Sequence, residues 1–216
     1  GDFKDEMQNA VDYVDFLMTT AGHIAKSDNP DIEIAVTEWN EQSVKLRTGL
    51  YAGRLLNGFE RHGETITMAC PALFIRKTTA TSWNNAFINH DSHRVFVAPN
   101  YLVMKLYRDN FAATRVAVDA PDSLDVIATK DAETGRLILK VVNFSRDEDV
   151  PARIVIEGAE GGPTTASGFR QFQITAQDID VSNTLDHPDR IEIVESNTDA
   201  TVVFPAHAIT VLRSRD

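Results

Sequence analysis

The stretch Ile34-Ala35-Val36-Thr37-Glu38-Trp39-Asn40 ends a short apolar run in a carboxylate, a tryptophan and an amide. The apolar residues do not alternate with polar ones, which predicts a buried strand of a parallel sheet. In a (β/α) barrel, catalytic side chains stand at the carboxyl ends of such strands. Glu38 is therefore a candidate catalytic residue, although an ordinary strand end with a solvated carboxylate fits these seven residues equally well.

The chain around this strand alternates helices and strands as far as about residue 112. Helical spacing of apolar residues and short buried runs define the elements. The predicted elements are helices at 2–26, 47–61 and 94–110, strands at 32–36 and 65–75, and a polar loop at 76–93. Two strands cannot cover the faces and edges of a parallel sheet. We therefore expect either a small open sheet or the last two βα units of a larger (β/α)8 barrel, and the helix that opens at residue 2 favours the barrel.

From about residue 113 the pattern changes to short strands with period-2 alternation. The strands are predicted at 115–118, 124–130, 136–144, 152–157, 169–175, 190–194, 201–204 and 209–213. A turn that ends in Gly135 joins two of them as a hairpin. Strands at this spacing predict an antiparallel β-sandwich, jelly-roll-like in form. The chain thus divides into a fragment of a barrel at 1–112 and a C-terminal β-sandwich domain at 113–216.

Composition excludes two classes of partner. The 216 residues carry a net charge of −11, which argues against a nucleic-acid partner because phosphate binding needs a clustered basic surface. No apolar run is long enough to predict a membrane span. The single Cys70 lies in an apolar run and is interpreted as a small core residue. One cysteine cannot form an internal disulfide, so cysteine usage leaves the compartment open.

Glu38, Trp39 and the polar loop supply the residue types that sugar chemistry needs. Hydrolysis of a glycosidic bond requires a carboxylate beside an oxocarbenium-like centre, and an aromatic ring offers a face to the sugar. Trp83, Asn84 and Asn85 lie together in the loop after the second strand. An aromatic ring with flanking amides suits sugar recognition. The same residues are also compatible with a Trp83 buried against the sandwich and two asparagines that form turns.

The segment His90-Asp91-Ser92-His93 raises the possibility of a metal site. Its spacing lacks the i, i+4 pair or the distant partner that zinc sites use. A solvated loop or a loop that caps the following helix is the favoured interpretation, and we predict no metal site.

Several longer motifs carry a resemblance to a known family. They are Val36-Thr37-Glu38-Trp39-Asn40, Gly49-Leu50-Tyr51-Ala52-Gly53, Leu56-Asn57-Gly58-Phe59-Glu60-Arg61, Thr67-Met68-Ala69-Cys70-Pro71-Ala72, the segment 98–106 and the closing segment 204–212. In this order they resemble the C-terminal part of the α-L-arabinofuranosidases of glycoside hydrolase family 51. The resemblance covers nearly the whole chain and implies the end of a TIM-type barrel followed by a β-sandwich.

The resemblance also implies site residues and partners. Glu38 would be the nucleophile of a retaining hydrolase at the end of the seventh barrel strand. The acid/base glutamate would lie upstream of residue 1, in a missing N-terminal barrel segment that is the expected partner of this chain. The substrate would be an arabinose-containing oligo- or polysaccharide, and no cofactor is implied. The residues expected to contact substrate are Trp39, Asn40, Gln42, Trp83 and Asn84.

Two departures from the family pattern leave substrate preference open. Gln42 stands where many members have a second tryptophan, and Leu73 stands where many have a glutamine. The alternatives are a related retaining glycosidase of the xylosidase type and a non-catalytic carbohydrate-binding or structural module. The isolated chain is expected to be inactive, because Glu41 is not expected to replace the absent acid. It is also expected to expose apolar barrel edges, so a homo-oligomer is plausible.

Overall fold

A computed structural model describes residues 2–157, 164, 165 and 168–215 of the chain. Its helices are α1 (Phe3–Ile24), α2 (Leu46–Arg61) and α3 (Pro99–Asp109). The strands before α3 are β1 (Ile34–Trp39), β2 (Ile66–Pro71), β3 (Ile75–Lys77), β4 (Ile88–His90) and β5 (Val95–Val97). Those after α3 are β6 (Thr114–Val116), β7 (Leu124–Lys130), β8 (Leu137–Asn143), β9 (Val150–Arg153), β10 (Val155–Ile156), β11 (Thr164–Thr165), β12 (Phe169–Ile174), β13 (Val194–Thr198), β14 (Thr201–Phe204) and β15 (Ala208–Ser214). None of the described helices is long and apolar enough to span a bilayer.

The first half is built around a parallel pair of strands joined by a helix. β1 and β2 pair in parallel from Ile34 opposite Ile66 to Trp39 opposite Pro71, and α2 connects them. A parallel pair requires such a crossover connection. α1 packs against α2 through a stripe of buried residues at helical spacing. This stripe comprises Phe3, Met7, Ala10, Val14 and Leu17.

Four predictions in this half are wrong. The first strand is Ile34–Trp39 rather than 32–36. The second strand ends at Pro71 rather than at residue 75, and a cis peptide bond joins Ala72 to Leu73. The polar loop contains β3 and β4, which form a small sheet with β5. The third helix begins at Pro99 rather than at residue 94, because Ala98 before the proline is extended and Pro99 needs no hydrogen-bond acceptor at the first helical position. Strands of three residues are too short to show a period in the sequence.

The second half is a two-layered β structure. One layer is an antiparallel sheet in the order β13-β12-β15-β8-β7-β6, and the other contains the antiparallel pair β14-β9. Side chains from both layers share a core that contains Leu124, Val141, Phe169, Val202, Phe204 and Leu212. The strand predicted at 190–194 is wrong, because regular pairing begins only at Val194 and continues to Thr198. The chain is therefore mostly sheet with few helices.

The two halves share one hydrophobic core. α2 packs on one side against α1 and α3 and on the other against β7, β8 and β15. The largest cluster of buried residues runs from Phe3 in α1 through Leu50 and Tyr107 to Val142 and Ile209 in the sheet. The division at residue 112 stays a prediction.

Candidate active site

Glu38 lies where two adjoining cavities meet. A larger cavity of about 370 Å³ and a smaller one of about 250 Å³ share Glu38, Ala72 and Trp83 in their walls. Glu38 belongs to β1 and its side chain is exposed. Among the described residues that line the two cavities, Glu38 is the only carboxylate. The sequence-predicted candidate therefore borders open space at the carboxyl end of a parallel strand.

The structure brings most of the predicted site residues together. Glu38, Trp39, Asn40, Gln42 and Trp83 all line the smaller cavity. Asn84 is exposed and lines neither cavity, whereas its neighbour Asn85 is 1% exposed and lines the smaller one. Asn84 as a substrate contact stays a prediction, and Asn85 is the asparagine of this loop that lines a cavity.

Trp39 lies in the core rather than open to solvent. It is 4% exposed, and its ring packs edge-on against Phe59 and Phe87, with centroids 6.3 and 5.4 Å away. This packing leaves little of the ring face for stacking on a sugar, which is the role the sequence predicted. The indole Nε1 has no hydrogen-bond partner among the described residues. Trp39 therefore serves mainly as a rigid wall that holds the end of β1 in place.

A network of amides fixes the segment that follows Glu38. Asn40 Nδ2 donates to the Asn85 carbonyl oxygen at 2.7 Å, and Asn85 Nδ2 donates to the Glu41 carbonyl oxygen at 2.8 Å. Asn40 Oδ1 accepts from the Glu41 amide at 2.8 Å and from Asn100 Nδ2 at 2.9 Å. These bonds tie the exit of β1 to the loop that carries Trp83 and to the start of α3. They also give Asn40 a positioning role.

Asn85 Oδ1 is the one atom of this network left without a partner among the described residues. The orientation of the amide follows from its neighbours, since the group that faces the Glu41 carbonyl must be the donor. This acceptor is itself buried, although Asn85 lines the smaller cavity. The sequence indicated an amide in this loop but not which of two adjacent asparagines turns inward.

Trp83 separates the two cavities and is held in an unusual backbone conformation. Its φ is 57° and its side chain is 57% exposed. A positive φ at a bulky residue is uncommon and marks positions that the surroundings enforce. The enforcing contacts include Arg76, which donates to the Ser82 carbonyl oxygen at 3.2 Å and to the Ala80 carbonyl oxygen at 2.5 Å. A Trp83 buried against the sandwich, the alternative interpretation of the sequence, is wrong.

Two tyrosines that the sequence reasoning missed line the smaller cavity. Tyr13 comes from α1 and Tyr51 from α2. Burial, with a smaller contribution from the charge of Glu41, raises the pKa of Tyr51 to about 12. The phenol is therefore a neutral hydroxyl at ordinary pH. Tyr51 belongs to the buried side of a helix, so its sequence position resembles that of any core residue.

The segment 90–93 forms a capped turn between β4 and β5. Asp91 Oδ1 accepts from the backbone amides of His93 and Arg94, each at 2.7 Å. These bonds and the Arg94 guanidinium lower the pKa of Asp91 to about 2. Ser92 and His93 are exposed, so the turn agrees with the solvated loop and not with the helix cap, the two alternatives that the sequence offered. Within the described part of the chain, no three His, Cys, Asp or Glu side chains lie close enough to hold a metal ion.

Comparisons with known proteins agree with one another. The family model described as the α-L-arabinofuranosidase C-terminal domain matches residues 24–208. The structure is similar to the thermostable GH51 α-L-arabinofuranosidase from Thermotoga petrophila, with a TM-score of 0.86 and 16% identity over 100% of this chain and 50% of that chain. For the GH51 arabinofuranosidase from Xanthomonas axonopodis pv. citri, the TM-score is 0.78 and the identity 18%, over 100% of this chain and 48% of that one.

A more distant likeness extends to another type of hydrolase. CelM2, a bifunctional glucanase-xylanase from a metagenome library, has a TM-score of 0.60 and 20% identity over 92% of this chain and 34% of that chain. Identities this low establish similarity of fold alone. A comparison with curated proteins finds no match. The chain spans about half the length of the arabinofuranosidases it matches.

Proposed function

The chain belongs to the α-L-arabinofuranosidase C-terminal domain family, and from this premise we propose that it is the C-terminal portion of a retaining glycoside hydrolase with Glu38 as nucleophile. The observation that carries the proposal is the position of Glu38, the one carboxylate among the described lining residues of two cavities that meet at a strand end. In the proposed reaction Glu38 attacks the anomeric carbon as the glycosidic oxygen leaves with a proton from the acid/base residue. That residue then takes a proton from the water that hydrolyses the covalent glycosyl-enzyme.

The proposal requires a second carboxylate from outside these residues. Retaining hydrolases hold the two carboxyl groups about 5 Å apart. Glu41 lines neither cavity, and its Oε1 accepts from the Gln42 amide at 2.7 Å. We therefore assign the acid/base residue to a partner segment that completes the site. The parallel pair β1 and β2 with α2 would then be the last part of a (β/α)8 barrel, and the exposed Met68 on β2 would face that segment.

The smaller cavity is the proposed site of the sugar whose bond is broken. Tyr13, Tyr51 and Gln42, which line it, carry hydroxyl and amide groups. Sugar hydroxyls both donate and accept, so such a mixed set is suited to them. By family, this sugar would be an α-L-arabinofuranosyl residue of an oligo- or polysaccharide.

A related retaining glycosidase that prefers another sugar is the second candidate. Gln42 and Leu73, the departures from the family pattern, both lie in the cavity walls. The likeness to a glucanase-xylanase extends over most of the chain. Two substrates distinguish these candidate functions: aryl α-L-arabinofuranosides and aryl β-D-xylopyranosides, each assayed with the longest natural form of the protein. A clear preference for the xyloside rejects the first candidate.

Replacing the nucleophile tests the mechanism. In the longest natural form, Glu38→Gln should lower kcat by at least about three orders of magnitude, while Glu41→Gln should retain most of the activity. Azide should restore turnover to Glu38→Gly and yield a glycosyl azide of inverted configuration, because a small anion then attacks in place of the carboxylate. The assignment of Glu38 as nucleophile is contradicted if Glu38→Gln is active. It is also contradicted if folded Glu38→Gly has lost its activity and azide does not restore it.

A further inference from the structure

The two cavities at Glu38 differ in the chemistry of their walls. The smaller cavity is lined by phenols and amides, whereas the larger has aliphatic residues such as Leu73 and Ile75 and two cations, Arg76 and Lys77. A retaining hydrolase needs space on both sides of the bond it cleaves, one for the glycosyl group and one for the leaving group. If the smaller cavity holds the glycosyl group, the larger one is left for the leaving group.

We propose that the larger cavity binds a sugar unit that carries a carboxylate, a uronic acid residue, as the leaving-group side of the substrate. The inference rests on the proposed function in one respect, the assignment of the glycosyl group to the smaller cavity. The site for the acidic sugar itself rests on the charge and shape of the larger cavity alone.

The charges in this cavity differ from those of the rest of the molecule. The chain has 32 acidic and 21 basic residues, yet two of the three charged residues that line this cavity are basic. Lys77 is exposed, and its ammonium group has no hydrogen-bond or ion-pair partner among the described residues. A lone ammonium group beside open space attracts an anion.

Arg76 holds its charge in a fixed place without neutralising it. Its Nε and Nη2 donate to the carbonyl oxygens of Ser82 and Ala80, which are neutral acceptors. Because those bonds fix the guanidinium plane, the positive charge stays at the cavity wall. A carboxylate placed there would interact with Arg76 and Lys77 and lie away from the negative charge of Glu38.

The shape of the cavity suits a sugar ring. The exposed Trp83 stands between the two cavities and presents a ring to the C–H face of a sugar. The volume of about 370 Å³ lies within the range of small-molecule sites. Leu73 and Ile75 make this part of the wall apolar, which favours stacking over hydrogen bonding.

Two glycosides that differ in one group test the proposal. Methyl α-D-galacturonide carries a carboxylate where methyl α-D-galactoside carries a hydroxymethyl group. The chain has two tryptophans, so a ¹⁵N spectrum contains two indole N–H signals, which Trp83→Phe assigns. At low salt the uronide should shift the Trp83 signal and bind about fivefold more tightly than the galactoside. Lys77→Ala should weaken that preference, with the remainder due to Arg76, whereas the control Lys26→Ala, which removes an exposed cation outside both cavities, should leave it unchanged.

The proposal is overturned if the two glycosides bind equally well, or if Lys77→Ala and Lys26→Ala lower the preference for the uronide to the same extent. Methyl α-L-arabinofuranoside serves as a separate probe, read at the Trp39 signal, for the smaller cavity. If the arabinofuranoside shifts the Trp39 signal but the uronide is not preferred over the galactoside, only the acidic subsite is contradicted. If the uronide is preferred but the arabinofuranoside leaves the Trp39 signal unchanged, the proposed function is contradicted. The assignment of the larger cavity to the leaving group is then contradicted as well.

Discussion

Asn84 and Asn85 are adjacent in the sequence, yet one is exposed and the other is buried and holds the β1 exit. Residue type cannot distinguish them, because both are short amides in a polar loop. The difference arises at Trp83, whose positive φ turns the chain just before the pair. A sequence pattern carries no signal for a positive φ at a residue other than Gly, Asn or Asp. The sequence therefore identified the loop, but not which of its two asparagines lines the cavity.

The burial of the single residue Tyr51 can be tested through its dependence on pH. Its pKa is about 12 in the folded chain against an ordinary value of 10, so the folded state disfavours the phenolate. The stability that Tyr51 contributes is fully present below pH 10 and is lost as the pH rises towards 12. We expect the absorbance difference at 295 nm between the wild-type chain and Tyr51→Phe to appear near pH 12. A difference that develops fully by pH 10 would contradict the burial of this phenol.

α2 illustrates at the element scale how a sequence motif reflects close packing. Its glycines face other elements, so that an added Cβ would lie 2.9 Å from Pro99 Cβ at Gly49, 2.9 Å from Val142 Cγ2 at Gly53 and 2.5 Å from Val14 Cγ2 at Gly58. α2 thus approaches α3, the sheet and α1 more closely than a side chain permits. The same helix follows the strand of Glu38, so its placement also places the site.

Gly58→Ala should destabilise the chain although alanine is the better helix former. The helix-propensity gain of about 1 kcal/mol is outweighed by overpacking against Val14, which costs about 1–3 kcal/mol. Gly22→Ala in α1 is the matched control, because no atom lies within 4 Å of the added Cβ there and the substitution should stabilise the chain. Urea titration measures the free energy of unfolding of both variants. Val14→Ala in the Gly58→Ala background should relieve the clash, and equal stability of Gly58→Ala and wild type would contradict this packing.

At the scale of the whole molecule, buried charges join α2 to the sheet. Asp125 of β7 accepts from Asn57 Nδ2 at 2.9 Å and from Arg54 Nε at 3.4 Å, and it also pairs with Arg61. Lys140 of β8 is fully buried and pairs with Glu60, while burial lowers its pKa. Such pairs leave a large penalty when one partner is removed. They therefore favour one mutual orientation of the two halves.

Asp125→Ala should cost about 3–5 kcal/mol of unfolding free energy, because it leaves the largely buried Arg54 without its partner. Asp109→Ala, which breaks the exposed pair with Lys105, should change stability little. Urea denaturation followed by circular dichroism measures both, and we expect a single transition that shifts as a whole for Asp125→Ala. If the unfolding curve shows two transitions and Asp125→Ala shifts only one of them, the regions predicted at 1–112 and 113–216 unfold independently.

The sequence by itself determined the elements that are long and periodic. The bounds of α1 and α2 and of the strands β7, β8 and β15 follow closely from apolar spacing over several residues, which is a local property of the chain. The sequence also indicated the strand before Glu38, but not that β1 continues through Glu38 to Trp39. Only the tertiary structure decided which side chains meet. The three-residue strands β3 to β5, the burial of Trp39, the inward turn of Asn85 and the pairing of Asp125 with α2 depend on partners distant in the sequence. Their free energy comes from contacts that form only when those partners are packed together, and a local pattern carries no record of such contacts.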